Sequence, residues 1–300
     1  MDSLQNYKDT PFDVVIQAGQ SNAEGAGRGP VLREYAPNGD VLYLTDRNGW
    51  AWFDAGRVPY IGVKLPPSCR IETAAERGDG AGKIGDFSLS FAREYVRAGR
   101  LEPGRKLLIV RAAVGGTGFM QQLWGMEDGL YLRMLAMADA AAALNPANRF
   151  VAFLWHQGES DTVERPGMGD GERFSYYREK LSSLLLSVRE RYKTPNLPVV
   201  TGSFVNEWLM NGFNGEWAGL SGAPCKPVLD ATRAVCREIG RAAFVETDDL
   251  QSNNQAAADG EPERGDVIHF SRDALRILGE RYFAAFCGLV AGGGSCTVVN

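Results

Sequence analysis

The chain has 300 residues, 44% of them hydrophobic, and a formal net charge of -5. That length can bury a full α/β core, and no linker, repeat or low-complexity stretch divides it, so one domain over 1–300 is expected. The acidic balance offers nucleic acid no basic patch, and no apolar run reaches membrane-spanning length.

The first residues, MDSLQNYKDTPFDV, have neither the basic start nor the apolar core of a signal peptide, so a cytoplasmic location is the default expectation and a trimmed secreted protein the alternative. The apolar run at 13–18 then predicts a strand that stops in Gly-Gln-Ser-Asn, with a helix starting near Ala23. Such a turn lifts the Ser21 hydroxyl above a sheet, beside free backbone N–H groups, and makes Ser21 the candidate nucleophile; a helix-capping serine is the plain alternative. Gln20 and Asn22 flank it as supporting or substrate-binding residues.

Residues 23–86 carry Tyr43, Trp50, Trp52, Phe53 and Tyr60 among many glycines with little periodicity. A stretch of this length reads as an active-site loop forming part of a substrate wall, or as a surface excursion pinned by its own aromatics. A helix is predicted at 87–98, then a strand at 106–113 ending in GGTG, where the N–H of Gly115 or Gly116 can serve as an oxyanion donor. No Gly-Lys-Ser/Thr and no GxGxxG with a following acid accompany these glycines, which argues against a nucleotide site.

After a helix at 128–144, the run RFVAFLWHQGESD predicts a strand at 149–156 that breaks abruptly into polar residues. Ligands of open parallel sheets bind at the carboxyl ends of the strands, so His156, Gln157, Glu159 and Asp161 are expected in the same crevice as Ser21. Gln157 can donate N–H to an oxyanion without adding charge, Glu159 suits the organisation of a loop, and His156 suits packing or hydrogen bonding nearby. Residues 173–192 place Phe174, Tyr177, Leu181, Leu184, Leu185, Val188 and Tyr192 on one helical face. Strands at 197–203 and 242–247 and a helix at 227–240 follow, with a second glycine-rich loop at 205–225 whose Trp208, Phe213 and Trp217 suit stacking on sugar faces.

Near the C-terminus, GDVIHFS holds Asp266 three residues before His269, one of only two histidines in the chain. That spacing lets the carboxylate turn back onto the imidazole, which yields a general base with its orienting acid. Ser271 reads as the cap of a last helix at 273–287, and the tail at 288–300 has no assigned role. The five cysteines are odd in number and form no close ligand pairs, so reduced thiols and no metal site are expected. Together the alternation predicts a three-layer α/β/α sandwich around a mostly parallel, five-stranded sheet.

Four motifs in order, GQSN, GGTGF, WHQGESD and DVIHFS, resemble those of the SGNH-type hydrolases. More narrowly they resemble the sialate O-acetylesterase and acetyl xylan esterase-like branch, the sixth carbohydrate esterase family, over Asp13 to about Phe286. The resemblance implies that Ser21, Asp266 and His269 form a triad and that the Ser21 N–H, a glycine of Gly115 to Gly116 and Gln157 form an oxyanion hole. It also implies an acetylated carbohydrate as substrate and no cofactor. Two other classes fit the same residues less well. A glycosidase would need Glu159 and Asp161 on opposite sides of a glycosidic bond, which two residues of one loop seldom achieve. A binding module would keep the aromatic loops without reason to keep a serine, an Asp-x-x-His and an amide together.

Overall fold

The computed structural model describes residues 4–30, 39–46, 65–66, 68–79, 82–162, 167–211, 225–261 and 263–291. The five expected strands are present as β1 (Phe12–Gly19), β6 (Lys106–Arg111), β7 (Arg149–His156), β8 (Val199–Gly202) and β9 (Ala242–Val245). Two more, β2 (Val41–Asp46) and β3 (Cys69–Thr73), come from the stretch expected to be a loop, as does a separate hairpin of β4 (Arg77–Asp79) and β5 (Gly82–Ile84). The main sheet therefore has seven strands, ordered β3-β2-β6-β1-β7-β8-β9, and the five-stranded expectation is corrected. Every neighbouring pair is parallel except β2 with β3, the antiparallel edge.

The reason is physical. In β2 only the run VLYL is apolar, too short to stand out among glycines, yet all six of its residues are buried, because the strand lies inside the sheet between β3 and β6 and the sheet has helices on both sides. On the edge strand β3 only Ile71 is fully buried, so little hydrophobic pattern exists to be read. Tyr43 is consequently core, 2% exposed, and no part of a substrate wall. Its hydroxyl donates to Asp86 at 2.9 Å, and Arg111 lies 4.6 Å over its ring. Asp86 also accepts from Gln17 and from Ser88 N–H, capping helix Phe87–Arg97 and tying it to β1.

Helices Phe87–Arg97 and Arg272–Ala291 pack against each other, as do Asp170–Arg191 and Cys225–Ile239, and helices cover the sheet on both sides. Along Asp170–Arg191 the expected stripe is buried at Tyr177, Leu181, Leu184, Leu185 and Val188, with Phe174 and Tyr192 partly so. Arg189 fills that helix's end by donating to the carbonyls of Leu197, Ile239, Gly240 and Arg241, which joins it to the starts of β8 and β9. Gly279 lets the last helix approach closely: a Cβ there would lie 2.0 Å from the Phe87 carbonyl oxygen. That helix runs to Ala291, so 288–291 belong to it rather than to a tail. No helix among the described residues is long and apolar enough to cross a membrane.

Within 205–225, residues Asn206–Asn211 form a short helix, and Trp208 is 1% exposed against Phe204, a core residue rather than a sugar platform. Trp50, Trp52, Phe53, Tyr60, Phe213 and Trp217 lie outside the described residues.

Candidate active site

Strand β1 is entirely buried, and its apolar run ends at Gly19, whose φ of +131° few side chains tolerate and where a Cβ would lie 2.0 Å from the His156 carbonyl oxygen. Only glycine permits this reversal so close to β7. The chain turns directly into the short helix Ser21–Glu24, with Gln20 as its cap position, and Ser21 sits at the helix start. Gln20 is 2% exposed and accepts from the Ser160 N–H at 3.0 Å, fixing the turn to the 157–161 loop.

Ser21 and His269, 248 residues apart, meet with Oγ to Nε2 at 2.8 Å. On the other side of the ring, Nδ1 lies 2.9 Å and 3.0 Å from the two oxygens of Asp266. Because a carboxylate only accepts, Nδ1 carries the proton, and Nε2 presents its lone pair to the Ser21 hydroxyl. Burial pulls the Asp266 carboxyl upward, but hydrogen bonds from His269 and Asn253 outweigh it, and the group stays below its ordinary range. Both members of the pair keep about a quarter of their side-chain surface exposed.

Asn253 is a residue that sequence reading missed. It is 1% exposed, donates from Nδ2 to Asp266 at 2.8 Å and to the Ala26 carbonyl at 3.0 Å, and accepts from the Arg28 N–H at 2.7 Å. It thereby holds the acid against the segment that follows the nucleophile. Its only sequence trace is the capping box Ser252 to Gln255, which marks a helix start and says nothing of a partner 13 residues away.

The expected oxyanion donors differ in their freedom. Gly115 is committed, its N–H donating to Glu24 at 2.8 Å. Gly116, at φ +70°, is exposed, and among the described residues neither its N–H nor that of Ser21 has a partner. The Val114 N–H donates to the Gly19 carbonyl at 3.0 Å, so the glycine pair lies beside the serine turn. Gln157 is 3% exposed, and its two N–H bonds face three acceptors: Asp161 at 2.8 Å, the Thr117 carbonyl at 3.1 Å and Gln20 at 3.3 Å. Its own oxygen accepts from Tyr177 at 3.1 Å. Asp161 is fully buried and receives the N–H groups of Phe119 and Met120, so these two side chains together pin the loop after β6 to the loop after β7.

His156 is fully buried between Phe87 and Phe270, with Nδ1 2.8 Å from the Tyr282 hydroxyl. Burial pushes its pKa down to about 3, which keeps the ring neutral at ordinary pH and removes it as a proton carrier. Glu159, 2% exposed, lies 3.7 Å from His156 Nε2 and accepts from Asn22 at 2.8 Å. Burial raises its pKa against the pull of that hydrogen bond. No three His, Cys, Asp or Glu side chains among the described residues are grouped to hold a metal.

The fold is shared with solved structures. A protein from Arabidopsis thaliana matches at a TM-score of 0.61 and 19% identity over 92% of this chain and 100% of its own. NanS matches at 0.69 and 18% over 94% and 98%. A carbohydrate acetylesterase from Xanthomonas citri matches at 0.58 and 16% over 93% of this chain and 56% of its own. No curated protein matches the sequence. The model of the carbohydrate esterase family described as sialic acid-specific acetylesterase matches residues 11–288, nearly the whole length. The chain belongs to that family and is a carboxylic ester hydrolase.

Proposed function

We propose that the protein removes acetyl groups from an acetylated carbohydrate by a serine mechanism, with Ser21 as nucleophile. The observation that carries this reading is the unbroken line from Asp266 through His269 to Ser21, every link at hydrogen-bond distance. His269 Nε2 takes the hydroxyl proton as Ser21 Oγ attacks the ester carbonyl, and Asp266 stabilises the imidazolium that forms. The negative oxygen of the tetrahedral intermediate is held by the N–H groups of Ser21 and Gly116, neither of which has a partner among the described residues. Gly115 and Gln157 hold the surrounding loops, since an oxyanion would have to displace Glu24 or one of the Gln157 acceptors to reach them.

Collapse of the intermediate passes the proton from His269 to the leaving sugar oxygen and leaves an acetyl-serine. Water, activated by the same histidine, then releases acetate.

Acetate release from acetylated xylan, acetylated pectin fragments and O-acetylated sialic acids tests the reading. Turnover of at least one of these is expected, with no cleavage of glycosidic bonds. Glycoside cleavage without acetate release would move the function to the carboxylates.

A further inference from the structure

The distance between Ser21 and His269 has to be set by something other than the chain between them. Ser21 stands on the short helix after β1, whereas His269 sits in an irregular segment before helix Arg272–Ala291. Asn22, fully buried, bridges the two. Its Nδ2 donates to the Ile268 carbonyl at 3.2 Å and its Oδ1 accepts from the Phe270 N–H at 3.1 Å. The peptide groups on both sides of the base are thus gripped by the residue next to the nucleophile.

An asparagine amide can reverse its oxygen and nitrogen, and the reversed form would face donor to donor at Phe270 and acceptor to acceptor at Ile268. The remaining N–H of Nδ2 donates to Glu159 Oε1 at 2.8 Å, which only the productive orientation satisfies. Glu159 stands on the turn Glu159–Asp161 after β7, whose Ser160 N–H is itself held by Gln20. His269 Nδ1 is already taken by Asp266, so the hydrogen-bonded path from Glu159 to the base runs through Asn22.

We propose that Asn22 is a positioning residue that sets the Ser21 to His269 register, and that Glu159 is the anchor that fixes the Asn22 amide. This rests on the esterase reading above. Both side chains are buried, so the proposal gives neither a contact with substrate. Their loss misplaces the base, so it lowers kcat with little change in KM.

The test is steady-state kinetics on p-nitrophenyl acetate, with melting temperatures, for the full chain and for Asn22→Ala, Glu159→Ala, the double variant and Glu159→Gln. Each alanine variant is expected to lose about a hundredfold in kcat with KM within about threefold. The double variant should lose no more than Asn22→Ala alone, because Glu159 acts through Asn22. Glu159→Gln keeps a carbonyl oxygen for Asn22 and should stay within about fivefold of wild type. Additive losses, or Glu159→Gln as impaired as Glu159→Ala, would overturn the proposal, the latter because the charge itself would then matter. Where alanine leaves too little folded protein, Glu159→Gln decides alone: a kcat within about fivefold of wild type supports the proposal, and a larger loss overturns it. Ser21→Ala is run alongside. A wild type that fails to turn over, or a Ser21→Ala that does turn over, removes the esterase reading and the clamp with it. Ser21-dependent turnover with additive variants removes the clamp alone.

Discussion

Two carboxylates are held at opposite ends of β1, and they are treated differently. Asp13, near its amino end, is fully buried and accepts from Arg105 and Arg149 at 2.7 Å each and from Tyr95 at 2.8 Å, while Arg105 also binds the Phe12 and Ala147 carbonyls. Arg149 reaches on to Glu102 at 2.8 Å, so the cluster joins several segments at this end of the sheet. Asp266, beyond the carboxyl end, is partly exposed; it accepts from Asn253 on one side and from His269 on the other, whose ring leads on to the Ser21 hydroxyl. The Asp13 cluster ties strand ends together, whereas the line from Asp266 ends at the Ser21 hydroxyl, beside two N–H groups that have no partner among the described residues.

Substitutions at the two ends should therefore fail in different assays. Asp266→Asn is expected to lower kcat by about a thousandfold or more with binding little changed, because the amide favours the wrong imidazole tautomer; a loss below tenfold would point to another acid. Asp13→Ala should leave kcat within about twofold yet cost about 3 kcal/mol of stability in denaturant unfolding, since Arg105 loses its partner in a mostly buried site. A normal unfolding midpoint would show that the cluster is not structural.

Gln157→Ala probes the boundary between the two kinds of cluster. With its amide spent on Asp161, Thr117 and Gln20, the variant should lose about 1 to 3 kcal/mol of stability and less than tenfold in kcat. A loss of a hundredfold or more at unchanged stability would instead place Gln157 on the oxyanion.

The smallest effect concerns acid. His156, neutral in the fold with its pKa near 3 instead of the usual 6.5, becomes protonated on unfolding as the pH falls between those values. Unfolding then takes up a proton, so stability is lost on acidification by at most about 1.4 kcal/mol per pH unit. Asp266, held below its ordinary range, adds to that loss lower down, while Glu159, raised by burial, opposes it. Comparing wild type with His156→Phe at pH 7 and pH 5 isolates the histidine. The variant should show the flatter dependence, and equal slopes would contradict the assignment.

How much of this was legible depends on whether the information is local. The turn at Ser21, the Asp266 to His269 spacing and the strands β1, β6 and β7 are each encoded in a few consecutive residues, and they stand where the sequence places them. Strand β2 escaped because burial by two neighbours does not lengthen a four-residue apolar run, and Trp208 because an aromatic among glycines reads the same whether it faces core or solvent. Nothing local shows that Gly115 is spent on Glu24 while the Gly116 N–H has no partner among the described residues, or that Asn22 and Asn253 hold segments more than two hundred residues distant. Such hydrogen bonds depend on three-dimensional partners, and a polar residue in sequence carries no mark of which partner it will find.

The most direct measurement is intact-protein and peptide mass spectrometry after reaction with a serine-directed phosphonate, alongside acetyl ester turnover by Ser21→Ala. One phosphonyl group on Ser21, with a folded and inactive alanine variant, is the expected result. Labelling at another serine, or undiminished turnover without the Ser21 hydroxyl, would contradict the role assigned to the open end of β1.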